Sequence, residues 1–270
     1  MQFPIPSGRV GAGLGGLGIV GVILVLVFTV FTGGGGFDVP NIPQFPGAQP
    51  APPAEEPSGG TGPSDVVVFV ADDAQATWSD LFSRSGRQYD PAGLVLFSSS
   101  TMSGCGPASA ATGPFYCPAD QKVYIDLSFY RELQNRFDAP GDFAQAYVIA
   151  HEIGHHVQTL LGTNAQVQSF SRDNPEQANE LSVRLELQAD CFAGVWASAA
   201  ANAGILEAGD LEEGLQAAGA VGDDRIQAET QGRIDPESWT HGSAEQRVEW
   251  FRRGFKRGDP NACDTFSGGI

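Results

Sequence analysis

Asp142-Phe-Ala-Gln-Ala-Tyr-Val-Ile-Ala-His151-Glu152-Ile153-Gly154-His155-His-Val-Gln-Thr-Leu-Leu161 is the stretch on which the reading of this chain turns. From Phe143 to Leu161 it holds no proline, and Gly154 is its single glycine. Phe143, Ala146, Tyr147, Ala150 and Gly154 recur at the three- and four-residue spacing of one helix face. Pro140-Gly141 ahead of the run and Gly162 behind it mark its ends, and Asp142 with Gln145 has the form of a capping box. Inside this expected helix lies His-Glu-x-x-His. Residues i and i+4 stand about 40° apart around a helix axis, one turn apart along it, so His151 and His155 can present both imidazoles to one metal ion. Glu152 projects beside them, where a carboxylate can take a proton from an activated water. His156 points about 100° away from His155 and is not expected to be a ligand.

A zinc site needs a third protein ligand. Asn174-Pro175-Glu176 predicts the start of a second long helix, with Asn as N-cap and Pro at the first helical position, running to about Ala203 and ending near Gly204. It carries Glu186 and Asp190 at i and i+4 among Leu185, Leu187, Ala189, Phe192, Val195 and Trp196. Two carboxylates on so apolar a helix are costly to bury unless each has a partner. One zinc ion per chain is that partner for Glu186, and the second ring N–H of a ligand histidine is the partner for Asp190. Taken alone, the pair reads equally well as two surface acids. Beside the histidine motif, the metal site is the expectation.

His151-Glu-Ile-Gly-His-His-Val-Gln158 together with Glu186-Leu-Gln-Ala-Asp-Cys-Phe-Ala-Gly-Val-Trp196 resembles the bacterial neutral zinc metallopeptidase family. The order H-E-x-x-H then E-x-x-x-D is also similar to the gluzincins of the CAAX prenyl protease type. Gly113-Pro-Phe-Tyr-Cys-Pro-Ala-Asp-Gln-Lys-Val-Tyr124, Gly222-Asp-Asp-Arg225 and Thr240-His-Gly-Ser-Ala-Glu-Gln-Arg247 extend the resemblance from about residue 65 to the C terminus. It implies a zincin-like domain with His151, His155 and Glu186 as ligands and Glu152 as the catalytic base. A tetrahedral oxyanion needs a second electrophile beside the metal, and His241, Tyr124 and Arg247 are the polar candidates. An isolated histidine is more often structural; the resemblance is what raises His241 to a catalytic candidate. Tyr124 and Arg247 are weaker candidates for substrate contact, because an aromatic on a strand is usually core and Arg247 can instead bond Asp190 or Asp223. Asp223-Asp224-Arg225 reads as an ion-pair corner or as part of a cleft wall.

The rest of the chain sets the context. Val10 to Thr32 carries no charge and is aliphatic from Ile19 to Phe31, enough to span a bilayer. Thr32-Gly-Gly-Gly-Gly36 makes a poor signal-peptidase site, so residues 10–32 are expected to form an uncleaved transmembrane anchor. Arg9 precedes the segment and Asp38, Glu55 and Glu56 follow it, which places residues 1–9 in the cytoplasm and the remainder outside. Eight prolines stand from Pro40 to Pro63, so residues 33–64 read as a semi-extended linker. Residues 65–270 then form the catalytic domain. Lys plus Arg total 15 against 32 Asp plus Glu, a net charge of −17, which disfavours nucleic acid and anionic membrane surfaces as partners.

Cys105, Cys117, Cys191 and Cys263 are an even set in an extracytoplasmic domain, so two disulfides are expected. Of the three possible pairings, Cys105–Cys117 closes a short loop and Cys191–Cys263 ties the C-terminal tail to the helix of Glu186; these two are favoured. Val66 to Val70 leans to helix. Leu94–Phe97 and Val123–Leu127 read as strands, the second a candidate edge for pairing with an extended substrate by analogy with other metallopeptidases. Ser128 to about Phe137, Asp210 to about Val221 (capping box Asp210/Glu213) and Ser243 to about Lys256 (capping box Ser243/Gln246) read as helices. The class is therefore α+β, mostly helical, with about six helices and a small edge sheet of two or three strands. The function expected is a membrane-anchored zinc endopeptidase acting on peptides or proteins. A non-catalytic, metal-stabilised envelope scaffold and a zinc amidase on cell-wall peptides are the alternatives, and the presence of Glu152 speaks against the scaffold.

Overall fold

A computed structural model describes residues 63–109, 112–129 and 141–270. The expected anchor at 10–32, nearly all of the linker and most of the helix expected from Ser128 to Phe137 lie outside these residues. Among the described residues no helix is long and apolar enough to cross a membrane. The elements in chain order are α1 (Pro63–Arg84), β1 (Gly93–Phe97), β2 (Ser100–Ser103), β3 (Gly106–Ser109), β4 (Phe115–Cys117), β5 (Lys122–Asp126), α2 (Asp142–Leu161), α3 (Thr163–Asp173), α4 (Ala178–Asn202), α5 (Asp210–Ala220), α6 (Asp223–Gln231) and α7 (Ala244–Arg257). The domain is mostly helical with small sheets, an α+β arrangement.

Helices α2 and α4 form the centre. Helix α7 lies along α4, and α1 and α5 cover α2. Val66–Val70 falls inside α1, which buries Val67, Val70, Ala71, Ala74, Trp78 and Phe82 at helical spacing. The indole N–H of Trp196 on α4 donates to Asp73 at 2.7 Å and joins α1 to the centre. The two main crossings depend on missing side chains. A Cβ at Gly154 would stand 3.0 Å from the Ala189 carbonyl, so α2 and α4 meet closely inside the histidine motif. A Cβ at Gly254 would run into the carbonyl of Cys191, and one at Gly194 into that of Phe251, so α4 and α7 approach backbone to backbone.

Three helix starts differ from the sequence reading. Helix α2 begins after Gly141, with φ of 124° and no side-chain cap, so Asp142 and Gln145 do not form the expected box. Helix α5 likewise begins after Gly209, and Asp210 instead accepts from the Glu207 amide. Asn174 does not cap α4. Its side-chain amide donates to Phe170 O and closes α3, and a 3₁₀ turn over Pro175–Gln177 precedes α4. The Ser243/Gln246 box forms reciprocally, at 3.1 and 2.9 Å. Gly162 stops α2 in the left-handed conformation as expected, but the chain turns directly into α3. That helix buries only Thr163, Val167 and Ser171, too little apolar periodicity to register in sequence. Helix α6, Asp-Asp-Arg-Ile-Gln-Ala-Glu-Thr-Gln, escaped for the same reason.

The described residues hold five strands rather than two or three. One sheet has the order β1-β5-β4, with β1 parallel and β4 antiparallel to β5; β2 and β3 form a separate hairpin. Strand β5 is central and engaged on both sides, so the expectation of a free edge at Val123–Leu127 is corrected: β4 is an edge strand and packs on α2. Both favoured disulfides are present. Cys105–Cys117 ties the hairpin to the end of β4, and Cys191–Cys263 ties the C-terminal tail to α4.

Replacing Gly254 by valine is expected to cost about 3 kcal/mol through overpacking of the α4–α7 crossing. Gly268→Val, in open space, should leave the midpoint of urea unfolding unchanged.

Candidate metal centre

Helix α2 presents His151 and His155 one turn apart, and α4 presents Glu186 opposite them. His151 Nε2 lies 3.2 Å from Glu186 Oε2 and His155 Nε2 lies 3.5 Å from Glu186 Oε1. One donor atom from each of the three comes within 4.8 Å of the others. The remaining ring nitrogens are committed elsewhere. His151 Nδ1 meets Asp190 Oδ1 at 2.8 Å, and His155 Nδ1 meets the Gln158 amide oxygen at 2.9 Å. Both Nε2 atoms are thereby turned toward the carboxylate, as a ligand pair requires. Two imidazoles and one carboxylate, all buried, make a His₂Glu donor set of the kind zinc takes, through the neutral form of each ring, when one coordination position is kept open. The buried charge argues the same way. Glu152, Glu186 and Asp190 are all buried, and Arg247 is the permanent cation among them, so a divalent cation fits this pocket.

Asp190 is fully buried and lies at the middle of the network. It accepts from Tyr147 Oη at 2.5 Å, from Arg247 Nε at 2.8 Å and from Arg247 Nη2 at 3.0 Å, in addition to His151. Burial would raise its pKa, but the Arg247 guanidinium first and His151 next hold it at about 2. Arg247 spends its other N–H groups on Tyr147 Oη and the Val221 carbonyl, both at 3.2 Å. It is thus the partner of Asp190 rather than a wall residue of the cleft. Gln158 has the same office for His155: its amide N–H donates to Leu185 O at 2.7 Å and to Gln188 Oε1 at 3.2 Å, and Gln188 in turn donates to Cys263 O.

Glu152 sits buried beside both histidines. Burial pushes its carboxyl up; the charges of His155 and His151 and the backbone amide of Tyr116 on β4 pull it down without cancelling the effect. His241 is also buried; its bond to Asp223 first and the charge of Glu186 next raise its pKa against the effect of burial. Its Nδ1 meets Asp223 Oδ1 at 3.1 Å. The other oxygen of Asp223 accepts backbone N–H groups from Thr240, His241 and Gly242 at 2.7, 2.7 and 3.1 Å. Asp223 therefore fixes the loop that carries His241, and Asp224 accepts from the Ala244 amide next to it.

Tyr124 is placed elsewhere. Its ring stacks on Phe115 at 4.9 Å and its hydroxyl donates to Asp120 at 2.6 Å, in a small cluster with Phe97, Ala108 and Cys117 on the other face of the sheet from the main core. Strand alternation sends Val123 and Ile125 to the helices and Tyr124 away from them. His156 lies off the metal face, between Tyr116 Oη at 3.0 Å and Asp90 O at 2.6 Å. Tyr147, Gln158 and Asp223 are the site residues whose roles the sequence reading missed. Their signal was positional: Tyr147 is four residues before His151 and Gln158 three after His155 on one helix.

The model of the family described as "Putative neutral zinc metallopeptidase" matches residues 5–266. The chain belongs to this neutral zinc metallopeptidase family. Two relatives of this chain come from different bacteria. "Uncharacterized protein YpfJ" of Escherichia coli strain K12 is 53% identical over 195 residues, 72% of this chain and 68% of that protein. "Uncharacterized protein Rv2575" of Mycobacterium tuberculosis strain H37Rv is 46% identical over 212 residues, 74% of this chain and 70% of that protein. No solved structure matches the chain. The family implies zinc, and the His151, His155 and Glu186 group fits it.

Arg247→Leu would leave Asp190 buried with its main cation removed and is expected to cost about 3–5 kcal/mol. Arg247→Lys should recover little, because one ammonium cannot reproduce the planar fork that spans both Asp190 oxygens, Tyr147 and Val221. Chemical denaturation of the three proteins checks both.

Proposed function

We propose that this metallopeptidase is a zinc-dependent endopeptidase that hydrolyses peptide bonds of peptide or protein substrates, with Glu152 as general base. The observation that carries the reading is the placement of Glu152: a buried carboxyl beside the three donor atoms, its pKa raised by burial. A purely structural metal site needs ligands and has no use for a further carboxylate buried beside them.

His151, His155 and Glu186 would hold the zinc. When bound, zinc polarises the scissile carbonyl and acidifies water. Glu152 takes the proton from the attacking water and passes it to the leaving amine. Asp190 and Gln158 orient the two histidines through their Nδ1 atoms. His241, with Nδ1 bonded to Asp223, offers Nε2 to the developing oxyanion. Strand β4 brings the Tyr116 amide to Glu152, so this edge is the one suited to pair with an extended substrate backbone. Residues 10–32 anchor the chain with its catalytic domain outside the cytoplasm; the two disulfides support an oxidising compartment.

The test is metal content together with hydrolysis of a mixed peptide library. The wild-type protein should bind one zinc per chain. Glu152→Gln should keep the zinc and lose about 10²–10⁴-fold in kcat, and Glu186→Ala should lose zinc and activity together. His241→Ala should lower kcat about 10²–10³-fold with zinc retained. Wild-type turnover by Glu152→Gln would overturn the mechanism, and cleavage confined to cell-wall peptides would make the enzyme an amidase.

A further inference from the structure

A cavity of about 180 Å³ lies between the C-terminal turn of α2, helix α3 and the N-terminal half of α4. Pro118, Thr159, Asn164, Ser171, Ser182 and Leu185 line most of it, and no lining residue carries a charge. Its place along the two central helices relates it to the metal centre. Thr159 is one turn beyond His155 on the same face of α2, and both Thr159 Oγ1 and Asn164 Nδ2 donate to the His155 carbonyl at 3.2 Å. Ser182 is one turn before Glu186 on α4, and Leu185 is its neighbour in the chain. Pro118 follows β4, the edge strand whose Tyr116 amide reaches Glu152. The cavity is therefore bounded by the same two helix faces that carry the donors and by the strand end beside the base.

Two polar atoms in its lining residues are buried and unpaired among the described residues: Asn164 Oδ1 and Ser171 Oγ. Ser171 itself is only 5% exposed. Buried polar groups are normally hydrogen-bonded, so these two point to a guest that supplies donors or acceptors. A cavity of about 150 Å³ is enough for a benzene-sized guest. A side chain of the size of leucine, methionine, glutamine or phenylalanine fits the space. A lysine, arginine, aspartate or glutamate would be desolvated there with no countercharge.

We propose that this cavity is the specificity pocket of the enzyme, receiving a medium-sized uncharged side chain from one of the two substrate positions that flank the scissile bond. The proposal rests on the peptidase reading above. Thr159, Ser182 and Leu185 shape the pocket wall on the two helices that carry the candidate donors, and Asn164 and Ser171 offer hydrogen bonds to a polar side-chain end. Gln168 and Ala178 also line the cavity, at half-buried positions outside the set of residues proposed to hold metal or move protons, so changes there alter the guest and not the chemistry.

The experiment is a positional profile of peptide cleavage by the zinc-loaded full chain, run beside Glu152→Gln, Gln168→Glu and Ala178→Phe. At one flanking position the wild type should prefer leucine, methionine, glutamine or phenylalanine over charged residues by about 10²-fold in kcat/KM. Gln168→Glu, nearly isosteric, should raise the lysine-to-leucine ratio at that position about tenfold. Ala178→Phe should lower kcat/KM for bulky residues there about tenfold while alanine and glycine peptides are cut as before. A profile that is the same in wild type, Gln168→Glu and Ala178→Phe would overturn the pocket assignment while leaving the peptidase intact. Cleavage absent from both wild type and Glu152→Gln would remove the peptidase reading, and the pocket with it.

Discussion

The ion pair between Asp190 and Arg247 is the constraint on which the rest of the site depends. A carboxylate buried at the crossing of α2, α4 and α7 is unfavourable by itself. It persists because Arg247 reaches across from α7 with two N–H groups, while Tyr147 and His151 supply further donors from α2. One carboxylate thereby joins three helices and sets the ring of His151. The pair is worth less as a source of stability than as a device that specifies geometry, since two buried charges roughly offset their own desolvation.

Around that pair the structure repeats one arrangement. Each candidate functional imidazole is held at Nδ1 by a partner that is itself held. For His151 the partner is Asp190, bonded by Arg247 and Tyr147. For His155 it is Gln158, bonded to the Leu185 carbonyl and Gln188, and through Gln188 to the backbone of Cys263. For His241 it is Asp223, whose second oxygen gathers three backbone amides. A site built on such supports reorganises little when charge changes during a reaction, which is what electrostatic stabilisation of a transition state requires. The Cys191–Cys263 bond has a place in this scheme, because it keeps the tail carbonyl that Gln188 binds against α4.

The close crossings explain how three helices come near enough for these bonds. Gly154 lets α2 lie on Ala189, and Gly194 with Gly254 lets α4 and α7 touch through their backbones. Arg247 and Asp190 then lie at bonding distance. A helix pair separated by ordinary side chains would stand 8–10 Å apart, and the network would have to be built with longer groups or with water.

His151, Glu152 and His155 were legible in the sequence because a helix turns short spacing into direction. Glu186 and Asp190 were legible only beside the histidine motif, which supplies the partners that two acids at i and i+4 on an apolar helix need. The two central helices, the disulfide pairings and the Ser243/Gln246 cap followed from equally local rules. The places where the sequence misled were those where distant chain segments compete. Asp142, Asp210 and Asn174 looked like helix caps, but glycines stand at the starts of α2 and α5, and a 3₁₀ turn separates Asn174 from α4. Val123–Leu127 looked like an edge strand, but β1 and β4 claim both of its sides, and the alternation along the strand turns Tyr124 away from the helices that carry the candidate donors. The roles of Tyr147, Gln158 and Asp223, the pairing of Arg247 with Asp190 and the cavity between α2, α3 and α4 depend on which helices cross and where. The sequence by itself determined the candidate donors and the carboxylate expected beside them, since those lie within one or two helices. Only the tertiary structure decided what orients them and what lies beside them, because hydrogen bonds and cavities between separate elements exist only once those elements pack.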